Sequence, residues 1–173
     1  MKKYELTGET KEARGVMLKR IRAVLDFGGV RAGDIGGWIE KEENLSHDGD
    51  ARVYGNAQVY GNARVYGDAL VSGDAWVYGG EWEKSPCYIQ GARWPIFVSS
   101  PDTVRCGCQN HTWQGWHDRY AEISEEHGAD DVLEEYIRYF NLLCEMYGHE
   151  DCKIEGHGGG REPERINREE VMQ

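Results

Sequence analysis

From Gly49 to Gly79 the chain repeats one six-residue unit five times: GDARVY, GNAQVY, GNARVY, GDALVS and GDAWVY. A unit this short cannot bury a core alone, so internal repetition governs the architecture before any local propensity does. Within the units Ala and Val recur at every second position: Ala51 and Val53, Ala57 and Val59, Ala63 and Val65, Ala69 and Val71, Ala75 and Val77. A two-residue period turns them to one side of a strand and Arg52, Gln58, Arg64, Leu70 and Trp76 to the other. The Gly-Asn and Gly-Asp steps tolerate the positive φ of a tight corner. Short strands, tight corners and small inward residues predict a narrow triangular solenoid. Hairpins would need longer strands to pair usefully.

These units resemble the hexapeptide-repeat family, whose fold is a left-handed parallel β-helix with three units to an 18-residue coil. On that period Gly37, Gly55 and Gly73 coincide, as do Ile35, Val53 and Val71. Extended backwards through GDIGGWIEKEENLSHD, the period puts Lys41 and His47 in the slots of Val59 and Val65, so the first coil is expected to be irregular. About three coils result, from roughly Val30 to Trp82, near the least that such a column needs. The resemblance also implies a homo-oligomer, a trimer in that family. Tyr54, Tyr60, Tyr66, Trp76 and Tyr78 form an outward aromatic row expected to serve as the oligomer interface, because exposed aromatic patches mostly mark association.

The five cysteines point to reduced thiols or a metal site rather than a disulfide framework. A net charge of −11 argues against general nucleic-acid binding, which needs a basic face. Lys11, Arg14, Lys19, Arg20 and Arg22 do cluster near the start, and a solvated strand or helix face is the expected use. No apolar run approaches a membrane span, and a cytoplasmic location is expected.

The expected organisation is an N-terminal β cap over 1–29, the solenoid over 30–84, a C-terminal β and helical-hairpin lobe over 85–148, and a flexible tail over 149–173. Residues 15–27 fit a strand, with Met17, Ile21, Ala23, Leu25 and Phe27 on one side, or a helix; a strand leads directly into the first coil. The prolines of 86–101 suit short strands and turns. Thr112 is placed to cap a first helix that Gly128 stops. Asp131 and Glu134 resemble a capping box for a second, whose buried face runs through Val132, Leu133, Tyr136, Ile137, Phe140, Leu143 and Cys144.

Beyond the repeat, the stretches GDIGGWIEKEENLSHDGDARVYGNA, SPCYIQGARWPI and CGCQNHTWQGW resemble a group of phage and prophage proteins with the same repeats, and the likeness runs from about Gly15 to Gly148. The group carries Gly-Cys-x-x-His-Thr with a following Trp, here Gly107, Cys108, His111, Thr112 and Trp116. It implies phage origin, action in a host cytoplasm and the architecture, not a chemistry.

Cys106, Cys108 and His111 are the densest reactive cluster. Their spacing is not a standard zinc pattern and lacks a paired second half. A Cys–His nucleophile here lacks an evident orienting acid. The backbone N–H groups of a helix start near Cys108, His111 and Thr112, joined by Gln90 and Arg93, suit a small anion held against Trp94 or Trp116. The competing reading is a packed joint between lobes. Hexapeptide acyltransferases use a groove histidine, for which the solenoid has only His47. The expectation is therefore a non-enzymatic, oligomeric binding protein without metal or cofactor, sequestering a small anionic, nucleotide-like ligand or blocking a host factor. An acyltransferase and a purely structural oligomerisation module are the alternatives.

Overall fold

The computed structural model describes residues 1–155. An antiparallel hairpin of β1 (Tyr4–Ala13) and β2 (Val16–Ala23) leads to β3 (Ile35–Ile39). Six two-residue strands follow, one to each corner-to-corner side: β4 (Arg52–Val53), β5 (Gln58–Val59), β6 (Arg64–Val65), β7 (Leu70–Val71), β8 (Trp76–Val77) and β9 (Glu81–Trp82). They pair in parallel with the strand one coil away, giving three faces: β3–β5–β8, β4–β7 and β6–β9. The hairpin adds antiparallel strands to the first face, so the sheets are small and one is mixed.

The alternation read from the repeat is carried through the column. Ala51, Ala57, Ala63, Ala69, Ala75 and all five repeat valines are buried. The corner glycines take positive φ, and at Gly61 (φ 62°) a Cβ would lie 2.6 Å from the Tyr78 carbonyl of the next coil. Only a glycine lets the coils approach this closely.

The first coil departs from the expected register. Ile39 pairs with Val59 and Leu45 bridges to Val65, so these two residues, not Lys41 and His47, fill the inward slots. Gly37 consequently stands beside Ala57 rather than Gly55, and Ile35 pairs with Arg22. The cause is two extra residues between Leu45 and Val53. They form a turn in which Ser46 Oγ accepts from the Asp48 N–H at 3.0 Å, and the buried Lys3 ammonium donates to the carbonyls of Gly49 and Ala51 at 3.0 and 2.8 Å. A fixed period read through an insertion slips every residue before it.

Residues 16–23 are a strand, with Ile21 and Ala23 inward as expected and Met17 not. A register irregularity between Arg20 and Arg22 lets Leu18 join Ile21 and Ala23 in the core, while Met17 is exposed. The N-terminal basic residues are largely occupied. Lys11 and Arg20 lie over the Trp38 ring, at 4.6 and 4.8 Å, and Arg14 and Arg105 over Trp76, at 4.2 and 4.4 Å. Arg22 pairs with Glu5. Gln58, between these indoles in the ladder, is buried by them.

After the solenoid comes a four-stranded antiparallel meander of β10 (Tyr88–Gln90), β11 (Pro95–Ser100), β12 (Thr103–Cys106) and β13 (Gln109–Thr112). Tyr78 joins it to the last coil: its N–H donates to Ser99 and its phenol bonds Thr103 and Asn110. Helix α1 (Trp113–Glu126) starts at Thr112, whose Oγ1 accepts from the Gly115 N–H, and ends before Gly128 at φ 57°. Helix α2 (Leu133–Tyr147) begins without a side-chain cap. The expected capping box does not form: the helix starts one residue late for it, with Val132 at the N-cap, and the Asp131 carboxylate pairs with Arg93. Ile137, Phe140, Leu143 and Cys144 make the buried face, as their spacing predicts. The tail expected from residue 149 is packed as far as Ile154, whose N–H and C=O both bond the Asn141 side chain. The rest of that expected tail, 156–173, lies outside the described residues. Among the described residues no helix is long and apolar enough to cross a membrane.

Candidate functional site

A cavity of about 130 Å³ lies between the meander and the two helices. Helical spacing makes it: Trp116, Tyr120 and Ile123 come from one face of α1, and Leu133, Tyr136 and Ile137 from one face of α2. Trp94 and Ile96 form the sheet side. The Trp116 indole N–H is satisfied by the Val104 carbonyl at 2.7 Å. Cys106 also lines the cavity, and burial pushes its thiol up to about 12. Among the described residues the lining contains no Lys, Arg, Asp or Glu.

One edge is polar. Cys108, Gln109 and His127 line it, with Cys108 and His127 exposed. Their hydrogen bonds assign the tautomers. His127 Nδ1 is 2.9 Å from the Ile123 carbonyl, which can only accept, so Nδ1 carries the proton and Nε2 is an acceptor. Gln109 Nε2 donates to that atom at 3.1 Å, leaving Gln109 Oε1 to accept from His111 Nε2 at 3.0 Å. Cys108 Sγ stands 3.8 Å from His127 Nε2. His111 also meets the Trp116 ring edge-on, and burial, then Arg119, lowers its pKa.

Of the residues singled out in the sequence, Trp94, Cys108 and Trp116 line the cavity, and Gln90, Arg93, His111 and Thr112 do not. Arg93 donates to the Gly128 carbonyl at 2.8 Å and pairs with Asp131 at 2.7 Å, clipping the β10–β11 turn to the helices. Thr112 is occupied as a cap, and exposed Gln90 bonds the Gly91 carbonyl. His127 and Gln109 were not legible as a pair, since only the return of α1 beside the β12–β13 turn brings them together. Among the described residues no three His, Cys, Asp or Glu side chains are grouped to hold a metal ion. In the aromatic row, Tyr54 is exposed and Tyr66 half-buried. Tyr60 lies against Tyr78, and Trp76 beneath two guanidinium groups.

His47 is stacked on Tyr4 at 4.2 Å, and its Nδ1 accepts from the Lys3 N–H at 3.3 Å. It borders an open groove with Glu42, Arg64 and Tyr66. Desolvation is the largest cause lowering its pKa. A proton on Nδ1 would also face an N–H donor, so the fold holds the neutral ring. Because the folded pKa is depressed, this contribution is complete above the unfolded value near 6.5 and is lost as pH falls through the folded one. Urea unfolding should show stability declining from pH 7.5 to pH 5, with a flatter profile in His47→Gln; identical slopes would refute the assignment.

Residues 57–67 and 63–79 match the family model described as the YdcK beta solenoid repeat. Over 62 residues the chain is 36% identical to a protein of Escherichia coli (strain K12) named "Uncharacterized acetyltransferase YdcK". That match covers 31% of this chain and 19% of that protein, so the chain spans about a fifth of the curated relative. The similarity supports a hexapeptide-type β-solenoid repeat in a mainly β protein with two helices.

Proposed function

We propose that the protein is a non-enzymatic binding protein in which the solenoid, left-handed as in the hexapeptide family, assembles subunits, and the C-terminal lobe takes a small ligand with an apolar body. The observation that carries this is the cavity itself, apolar on both walls and without an ionised carboxylate, ammonium or guanidinium in its described lining. A buried anion lacking a partner is costly. The lining therefore favours an aromatic ring or short acyl chain over the small anionic, nucleotide-like ligand expected from the sequence. An apolar cavity near 150 Å³ accommodates about one benzene ring. In the setting that the resemblance implies, a phage protein in a host cytoplasm, such a ligand would be withheld from a host process. The subunits would form a trimer, with exposed Tyr54 at the contact. Light scattering of the full chain at micromolar concentration should exceed the 19.7 kDa of one chain; a monomer would remove that part.

The binding test uses hexanol and benzyl alcohol. At a hundredfold excess over Kd either should stabilise the protein by about 2.7 kcal/mol. Leu133→Trp, which fills the cavity from α2, should weaken binding tenfold or more, about 1.4 kcal/mol, with the circular-dichroism spectrum retained. No thermal shift with either alcohol would overturn the reading.

An acyltransferase is the second reading, favoured by the name of the similar Escherichia coli protein and by His47 bordering a groove. It predicts acetyl-coenzyme A turnover that His47→Ala abolishes.

A further inference from the structure

We infer that Cys108 is a nucleophilic thiol, with His127 as its base, that accepts a short acyl group from an acyl thioester and lodges the chain in the adjoining cavity. This rests on the cavity being a ligand site and adds a covalent step to it. Three features point to the step. Cys108 and His127 line the same cavity edge, Sγ lies 3.8 Å from Nε2, and the Ile123 carbonyl at 2.9 Å holds the other ring nitrogen protonated. A base oriented by a third group beside a nucleophile is the general arrangement for activating a thiol. Here the third group is a backbone carbonyl, which fixes the tautomer without adding charge.

Gln109 completes the edge. Its amide nitrogen is 3.1 Å from His127 Nε2 and 3.8 Å from Cys108 Sγ, and His111 anchors its oxygen. For Nε2 to take the thiol proton, the Gln109 N–H must leave that nitrogen's single lone pair, and it turns to the sulfur 3.8 Å away, where it faces the thiolate. The sulfur then attacks the carbonyl carbon of the donor. An Sγ–C bond forms, the bond from that carbon to the donor sulfur breaks, and the departing thiolate takes the proton back from His127. One thiol and one thioester become another thiol and thioester, with no oxidant or reductant required.

The other four thiols are set apart. Burial pushes Cys106 and Cys144 up to about 12 and raises Cys87 and Cys152 as well. Cys108 is the exposed one of the five. A low thiolate fraction makes a cysteine inert whatever its neighbours. Selectivity for one site follows.

The probe is the hexanoyl thioester of N-acetylcysteamine, incubated with the full chain and followed by intact mass and peptide mapping. One hydroxylamine-labile hexanoyl group should appear on Cys108, at least tenfold faster than on free cysteine. His127→Asn should slow it tenfold or more, while a dodecanoyl donor, too long for the cavity, reacts more slowly than hexanoyl. Acylation elsewhere, acylation no faster than free cysteine, or a rate indifferent to His127→Asn would overturn the inference. The comparison with free cysteine needs no variant, so a misfolded His127→Asn protein does not blunt it. Hexanol binding to wild type and Cys108→Ser without acylation overturns this step alone. Failure of hexanol to bind either protein removes the cavity reading, and this inference with it.

Discussion

Replacing Asn44 with Leu should cost the fold about 3–5 kcal/mol, although the two side chains are close in size. Asn44 is fully buried in the first coil. Its oxygen accepts from the Lys41 N–H at 3.0 Å, and its amide donates to the carbonyls of Gly61 and Ala63 at 3.2 and 2.8 Å. The irregular coil makes a 3-10 turn here instead of a strand, so Asn44 supplies by side chain what a ladder would supply by backbone. Leucine leaves three backbone groups without partners, each worth about 1–3 kcal/mol where water cannot reach. The Lys41 end is near solvent and recovers part of this. Against a total stability of about 5–15 kcal/mol, the loss should lower the midpoint of thermal unfolding by on the order of 10 °C. A change below 1 kcal/mol would mean that the first coil is not a closed part of the column.

Asn44 also marks where the sequence stopped being legible. From Val53 to Val77 every inward residue is readable from the six-residue period, because the column stacks like on like and each coil restates the constraint. The last strand comes one residue early, so Trp82, not residue 83, fills the slot beside Val65. Before Val53 the period is interrupted by two residues and by a polar side chain in a core position. The coincidence of Gly37 with Gly55 then offered a false register, since glycine suits both a corner and the crowded slot beside Ala57. Helical faces were legible for the same reason as the strands, through periodicity. The cap at Thr112 was legible and the box at Asp131 was not, because the helix starts one residue later, at a Val132 cap, and Arg93, 38 residues away, holds that carboxylate.

The candidate site divides along the same line. Trp94 and Trp116 stood out by composition, and both line the cavity. Arg93 and His111 stood out by chemical type, but type does not report what a side chain is already bonded to. The pairing of Cys108 with His127 depends on where α1 ends relative to a turn far behind it, and no spacing rule encodes that distance.

Tyr136 and Arg93 separate the two roles that the segment from Gln90 to Trp116 has been given. The Tyr136 phenol oxygen accepts from the N–H groups of Trp94 and Arg93, at 2.6 and 3.1 Å, and donates to the Trp94 carbonyl at 2.7 Å. One hydroxyl thus satisfies three backbone groups of the β10–β11 turn. A Cβ on Gly91 would lie 2.6 Å from that oxygen, so the turn closes tightly around it. Tyr136→Phe keeps the ring and removes all three bonds, which should cost about 2–4 kcal/mol. It should also weaken hexanol binding, because Trp94, a wall of the cavity, loses its tether. Arg93→Ala removes a partly exposed pair with Asp131 and one bond to the Gly128 carbonyl. Pairs of this kind contribute about 0–1 kcal/mol, and the guanidinium lies 5.8 Å from the Trp94 ring, so stability should change little and hexanol binding far less than in Tyr136→Phe. Urea denaturation and alcohol titration on both variants test this together. If Arg93→Ala abolished binding while Tyr136→Phe left it intact, the ligand would sit at the guanidinium and not in the cavity, and the apolar reading would fail.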